Sequence, residues 1–202
     1  MKYNLLFLIV ALMFLSALLI PFKANSQNQT NLEAVNTSND VVTGKEGNDR
    51  INTGDGNDNI SGKSGNDLIE AGPGDDLVSG GKGDDKIQGG PGDDYIIGNE
   101  GNDIVDDGPG NDFINLGKGN DTLVYYLDNN KGYQDYAIGG EGDDTLVIVT
   151  DNNIDDLMKN QIIKYNEQQN MVGADVVNLG KFNISLGTSD FEHIVFATGF
   201  TF

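Results

Sequence analysis

The sequence predicts an all-β fold, a β-solenoid of stacked nine-residue repeats closed by a mostly β C-terminal cap that contains one short helix. Three observations carry this. Glycine recurs every nine residues at Gly47, Gly56, Gly65, Gly74, Gly83, Gly92, Gly101, Gly110 and Gly119. Two residues after each stands an aspartate: Asp49, Asp58, Asp67, Asp76, Asp85, Asp94, Asp103, Asp112 and Asp121. Two further on stands an aliphatic residue: Ile51, Ile60, Ile69, Val78, Ile87, Ile96, Val105, Ile114 and Leu123. A further unit, GGEGDDTLV from Gly139 with Asp144, follows after a break in phase. A fixed short period of this kind marks a chain built by stacking one small unit.

Each position has a physical job. The glycines accept positive φ at little cost, so the chain turns tightly and points carbonyl oxygens inward. The three residues after the aspartate make a short strand whose middle, aliphatic member faces the interior. Two units then form one coil, and successive coils stack as parallel strands around a thin aliphatic core. Carboxylates and carbonyls gathered at the turns are hard oxygen donors. They suit Ca²⁺, which accepts many oxygens in flexible geometry, better than Mg²⁺, which demands regular octahedra and retains its waters.

Charge agrees. The 202-residue chain has 32 acidic and 12 basic residues and a formal charge of −20. That sign repels nucleic acid and anionic membrane surfaces and favours cations. Residues 44 to 124 alone carry 18 acidic and 6 basic side chains, a net of −12. Stacking them without metal would press carboxylates together over little apolar surface, so the repeat is expected to be disordered without calcium and to fold on binding it. With no cysteine, thiolate metal sites and disulfides are excluded.

The unit G-G-x-G-x-D-x-U-x, seen most fully as GGKGDDKIQ and GGPGDDYII, resembles the calcium-binding nonapeptide of the RTX (repeats-in-toxin, haemolysin-type) proteins. The resemblance covers residues 44 to 147 and implies a right-handed parallel β-roll, with each calcium between one turn and the turn two units later. It implies as side-chain ligands the nine aspartates named above together with Asp144. Backbone ligands would come from the carbonyls of Gly80, Lys82, Gly83, Gly89, Pro91, Gly92, Gly98, Glu100 and Gly101. Pairing each unit with the next but one gives roughly seven Ca²⁺ ions. Lys45, Thr53, Lys63, Ala71, Asn99, Asp107 and Leu116 each replace one of the two leading glycines. Many RTX proteins leave the cell through an exporter that reads a C-terminal signal. This chain instead begins with an N-terminal apolar segment, so the family's toxin activity is not expected.

That segment, residues 1 to 26, reads as an export signal. Lys2 precedes an apolar run from Leu5 to Ile20, Pro21 ends it, and Ala24-Asn25-Ser26 offers small residues for cleavage. The run is shorter than the roughly twenty residues of a spanning helix. An uncleaved anchor is the competing reading and the one route to a membrane. Either way the remainder works outside the cytoplasm. Residues 27 to 43, rich in Asn, Gln and Thr, read as a flexible linker.

Residues flanking the inward aliphatic should point to solvent. Alternate units then stack Asn59, Leu77, Tyr95 and Phe113 on one face, and Arg50, Leu68, Lys86, Ile104 and Thr122 on the other. The first row grows apolar toward its C-terminal end, where the C-terminal region is expected to fold back over Tyr95 and Phe113; an exposed partner-binding stripe is the alternative. An insertion at residues 125 to 138 contains Tyr125, Tyr126, Tyr133 and Tyr136, which either close the roll or contact carbohydrate. In the cap, residues 148 to 202, Ile154, Leu157, Met158, Ile162 and Tyr165 have helical spacing behind Asn152 or Asn153. ADVVNLGKFNISL then reads as a hairpin and FEHIVFATGFTF as a final strand.

No catalytic residues are expected. The acidic pairs Asp75-Asp76, Asp84-Asp85, Asp93-Asp94 and Asp143-Asp144 fall on one repeat element, not on separate elements spanning a sugar. His193 has no metalloprotease partner pattern. The expected function is an extracellular calcium-binding β-roll with a structural, adhesive or matrix role. The alternatives are a polysaccharide-binding module and a non-catalytic partner of a separately encoded secreted enzyme.

Overall fold

The computed structural model describes residues 30–130, 132–150, 176–178, 185–189 and 191–197. In chain order the strands are β1 (Thr30–Asn36), β2 (Val41–Thr43), β3 (Asp49–Gly54), β4 (Asn59–Ser64), β5 (Leu68–Glu70), β6 (Leu77–Lys82), β7 (Lys86–Gln88) and β8 (Tyr95–Glu100). They continue as β9 (Ile104–Asp106), β10 (Phe113–Lys118), β11 (Thr122–Tyr126), β12 (Gln134–Glu141), β13 (Thr145–Val149), β14 (Val176–Asn178), β15 (Ser185–Ser189) and β16 (His193–Ala197). No helix occurs among the described residues.

The strands alternate between two sheets as the repeat requires. One sheet has the order β1-β3-β5-β7-β9-β11-β13-β16 and the other β14-β15-β12-β10-β8-β6-β4-β2. Every pairing is parallel except that of β14 with β15. This is the parallel β-roll expected from the repeat, and the antiparallel pair is the expected hairpin. The final strand also forms, adding to β13 through Leu146↔Ile194.

The inward row is dry. The nine aliphatic residues at the repeat's eighth position are at most 1 % exposed, and Leu146 and Phe191 join them. Each such burial is worth about 1.5–3 kcal/mol. The outward rows fall in the expected register, Asn59↔Leu77↔Tyr95↔Phe113 and Arg50↔Leu68↔Lys86↔Ile104↔Thr122.

From the second unit onward the second position takes positive φ, with glycine at Gly54, Gly72, Gly81, Gly90, Gly108, Gly117 and Gly140. Lys63 and Asn99 hold the same conformation with side chains, at φ 82° and 84°. A left-handed residue bearing Cβ costs about 1–2 kcal/mol. Lys63→Gly is therefore expected to raise the stability of the calcium-loaded protein by about 1 kcal/mol, read as a higher thermal midpoint.

Two expectations need correction. Residues 30–36 and 41–43, expected within a flexible linker, form β1 and β2. Leu32 and Val42 pack against the core, and Val42 lies in register with Ile60. Asp40 and Val42 stand nine residues before Asp49 and Ile51, so the repeat pattern begins earlier than Gly44 with serine in place of its glycine at residue 38. The insertion is shorter than 125–138, because Tyr125 and Tyr126 complete β11 and Gln134 already opens β12. The aromatic row is extended by Tyr136, which stacks on Phe113 at 5.6 Å, and Tyr95 is 42 % exposed; most of the C-terminal region expected to fold over it lies outside the described residues. The export segment and the helix expected near residues 152–165 lie outside the described residues.

Candidate metal centres

The repeat places each aspartate at the end of a turn, where a strand begins and its side chain reaches back to the preceding coil. Its Oδ1 accepts the backbone N–H of the aspartate one coil earlier. One row runs Asp49, Asp67, Asp85, Asp103, Asp121, Asp144, and the other Asp40, Asp58, Asp76, Asp94, Asp112, Asp135, with N···O distances of 2.7–2.9 Å throughout. The first row ends on Glu192, whose Oε2 accepts the N–H of Asp144 at 2.7 Å.

The second carboxylate oxygen tells another story. Oδ2 of Asp58, Asp67, Asp76, Asp85, Asp94, Asp103, Asp112 and Asp121 is buried without a hydrogen-bond partner. One unsatisfied buried polar atom costs about 1–3 kcal/mol, and more when charged. A regular row of them is a donor set turned toward something other than protein. Carbonyls point to the same places. A Cβ on Gly80 would sit 2.5 Å from Asp85 Oδ2 and 2.9 Å from the Gly98 carbonyl oxygen, and one on Gly62 would meet Asp67 Oδ2 and the Gly80 carbonyl. The first-position glycine thus leaves open a cradle lined by carboxylate and carbonyl oxygen. That donor set is hard and anionic and fits Ca²⁺.

The other carbonyls expected as ligands lie in the same turns, with different partners. Those of Lys82, Pro91 and Glu100 accept N–H groups of Gly65, Gly74 and Gly83 at 2.7–2.8 Å, and that of Gly89 accepts from Gly72 at 3.0 Å. A carbonyl has two lone pairs, so one remains on each. The carbonyls of Gly83, Gly92 and Gly101 lie against the α-carbons of Gly101, Gly110 and Gly119 in the following coil.

Burial, opposed by the backbone N–H bonds and reinforced by neighbouring aspartates, pushes the carboxyls of Asp85, Asp94 and Asp112 up to about 8. Asp103 rises to about 7, and Asp67, Asp76 and Asp121 to about 6, for the same leading reason. The middle of the roll is therefore where protons are held most tightly and where a cation has most to offset.

Sequence reasoning missed three members of the rows. Asp40, Asp135 and Glu192 each precede an inward apolar residue by two positions, Val42, Ala137 and Ile194, as every repeat aspartate does. It also passed over the residue before each aspartate, which is not free to vary. Asn48, Asn57, Asn66, Asp75, Asp84, Asp93, Asn102, Asn111 and Asn120 accept the N–H of their counterparts one coil later at 2.8–3.2 Å. A short side-chain acceptor is needed there. Asp75, Asp84 and Asp93, the first members of three acidic pairs, serve as these acceptors.

A family model described as the RTX calcium-binding nonapeptide repeat (4 copies) matches residues 36–69, 70–105, 88–123, 97–130 and 132–147, more than half of the chain. Its start at residue 36 agrees with the early repeat around Asp40. No curated protein matches the chain.

Proposed function

The chain belongs to the RTX calcium-binding nonapeptide repeat family, and from that premise we propose that it is a non-catalytic extracellular protein whose β-roll folds on Ca²⁺ and serves a structural, adhesive or matrix role. The observation that carries this reading is the row of buried, partnerless Oδ2 atoms. The aliphatic core gains about 1.5–3 kcal/mol per residue. An unpaired buried carboxylate costs several. With one of each per unit, the roll without cations is marginal at best. Calcium between turns makes the two rows favourable together and turns the ion into a switch for the fold. Roughly seven ions follow from pairing alternate turns. Display outside the cell accords with the apolar segment at residues 5–20.

The test is made on the producing cells. The protein is expected in the extracellular or surface fraction, and a calcium chelator should release it or expose it to protease there. Recovery in the cytoplasm, or indifference to chelation, would contradict the reading.

A second reading, binding of polysaccharide, is favoured by one feature. Tyr95, Phe113 and Tyr136 stack in a row at 4.8 and 5.6 Å on the outer face, continued by Leu77, 44 % exposed. Of the tyrosines expected to contact carbohydrate, Tyr136 joins this row and Tyr133 is exposed, whereas Tyr125 is fully buried and unavailable. Retention on immobilised neutral or acidic polysaccharide at constant calcium, lost in Tyr95→Ala, would support it. Failure to bind either would remove it.

A further inference from the structure

Where β12 joins β10, the hydrogen-bonded aspartates are 23 residues apart instead of 18, and the roll interior there holds more carboxylate than the rows supply. Asp107, Asp112 and Asp135 each bring a carboxylate oxygen within 4.8 Å of the others, and all are buried. Asp107 is not a row aspartate. It stands at the first position of its unit, where the coils before it carry Thr53, Ala71 and Gly89. Thr53 and Ala71 are fully buried, so side chains at this position enter the roll.

Asp107 is itself fully buried. Its Oδ1 accepts the N–H of Gly108 at 3.1 Å, and its Oδ2 has no partner. Asp112 likewise has one satisfied oxygen and one orphaned. Asp135 accepts the N–H of Asp112 on Oδ1 and the hydroxyl of Tyr125 on Oδ2, at 2.9 and 2.7 Å. Asn130 precedes Asp135 by the same five residues that separate Asp107 from Asp112. It is also fully buried, with neither amide atom paired. The charges bearing on Asp107 are those of Asp135, Asp112 and Asp106, all negative.

We propose that Asp107, Asp112 and Asp135 form a calcium site of a second kind, interior and built on three carboxylates, which fills before the sites of the regular rows. The inference rests on the calcium-binding reading above. In the regular coils the first position is glycine, apolar or the neutral Thr53, and the cradle beside the glycines has carboxylate from row aspartates and carbonyls from the backbone. Here a third carboxylate enters from Asp107, and ligand charge count is a main determinant of calcium affinity. A divalent ion leaves the trio with one net negative charge, whereas a monovalent ion leaves two. The Tyr125 hydroxyl, donating to Asp135, fixes that carboxylate in place and puts a chromophore beside the site.

The test is a calorimetric calcium titration of the full chain at mildly alkaline pH, for wild type, Asp107→Gly and Asp107→Asn. Glycine is what Gly89 supplies at the same position one coil earlier, and asparagine keeps the shape if glycine loosens the turn. Wild type should show one equivalent binding about tenfold or more tightly than the rest, and both variants should lose that step while keeping the others. The chain has no tryptophan, so terbium emission on ultraviolet excitation must be sensitised by tyrosine. The first equivalent of terbium should light up in wild type and stay dark in Tyr125→Phe. An isotherm that both Asp107 variants leave unchanged, or first-equivalent emission that survives Tyr125→Phe, would overturn the proposal. Absence of binding at every step would instead overturn the calcium-binding reading itself.

Discussion

Asp94→Asn is expected to weaken calcium binding and to stabilise the calcium-free roll at the same time. Asn keeps an Oδ1 to accept the N–H of Asp76, so the row stays intact. The change falls on the buried, partnerless Oδ2. As an amide this atom becomes a donor, close to the Asp107 carbonyl that shares the space beside Gly89. Without calcium the substitution removes a buried unsatisfied group, a gain of about 1–3 kcal/mol. With calcium it deletes an anionic ligand, and affinity at that site should fall about tenfold or more. Circular dichroism in chelator, where the variant should keep more β-structure than wild type, and denaturant unfolding in saturating calcium together read both signs. The same sign in both conditions would mean that Asp94 serves only as a hydrogen-bond acceptor.

The second large effect is one of pH. Burial raises Asp85, Asp94 and Asp112 from 3.8 to about 8 in the folded, metal-free roll, and Asp103 to about 7. The folded form therefore holds more protons than the unfolded chain between these limits. Where that is so, stability falls as pH rises. The contribution is complete below the unfolded value of 3.8 and is lost by about 8. Acidifying calcium-free protein from mildly alkaline to mildly acidic pH should thus favour the folded roll, and calcium should act oppositely, binding more weakly in acid because it displaces those protons. Circular dichroism across pH in chelator, with proton release measured on calcium addition in weak buffer, checks both halves. A metal-free roll that gains β-structure on alkalinisation would reverse the sign and contradict the account.

Much of this was legible in the residues. A strict period of nine, with glycine, aspartate and an aliphatic residue in fixed phase, specifies turn, ligand and core together. It fixed which side chains face in, and the structure keeps that register from Ile51 to Leu123. What escaped notice had lost the glycine two positions before the acid, replaced by Ser38, Tyr133 and Asp190. Asp40 lacks the glycine, Asp135 is displaced by the insertion, and Glu192 is a glutamate whose longer reach still lets Oε2 close the row. In each the acid and the inward apolar residue two positions on were present. Side-chain direction at the first position was not legible either. Asp107 reads in sequence as an imperfect glycine, yet a residue there enters the roll, and an acid at that point meets Asp112 and Asp135. Tyr125 likewise reads as part of the insertion, but β11 runs two residues past the repeat and carries it inside.

The central claim is that calcium, held between rows of buried carboxylates, is what makes the roll fold. It is tested most directly by far-ultraviolet circular dichroism of the full chain at mildly alkaline pH, first in excess chelator and then through a calcium titration. The account expects a largely disordered spectrum in chelator that converts cooperatively to a β spectrum as calcium is added. A β spectrum already complete in chelator, and unchanged by calcium, would contradict it.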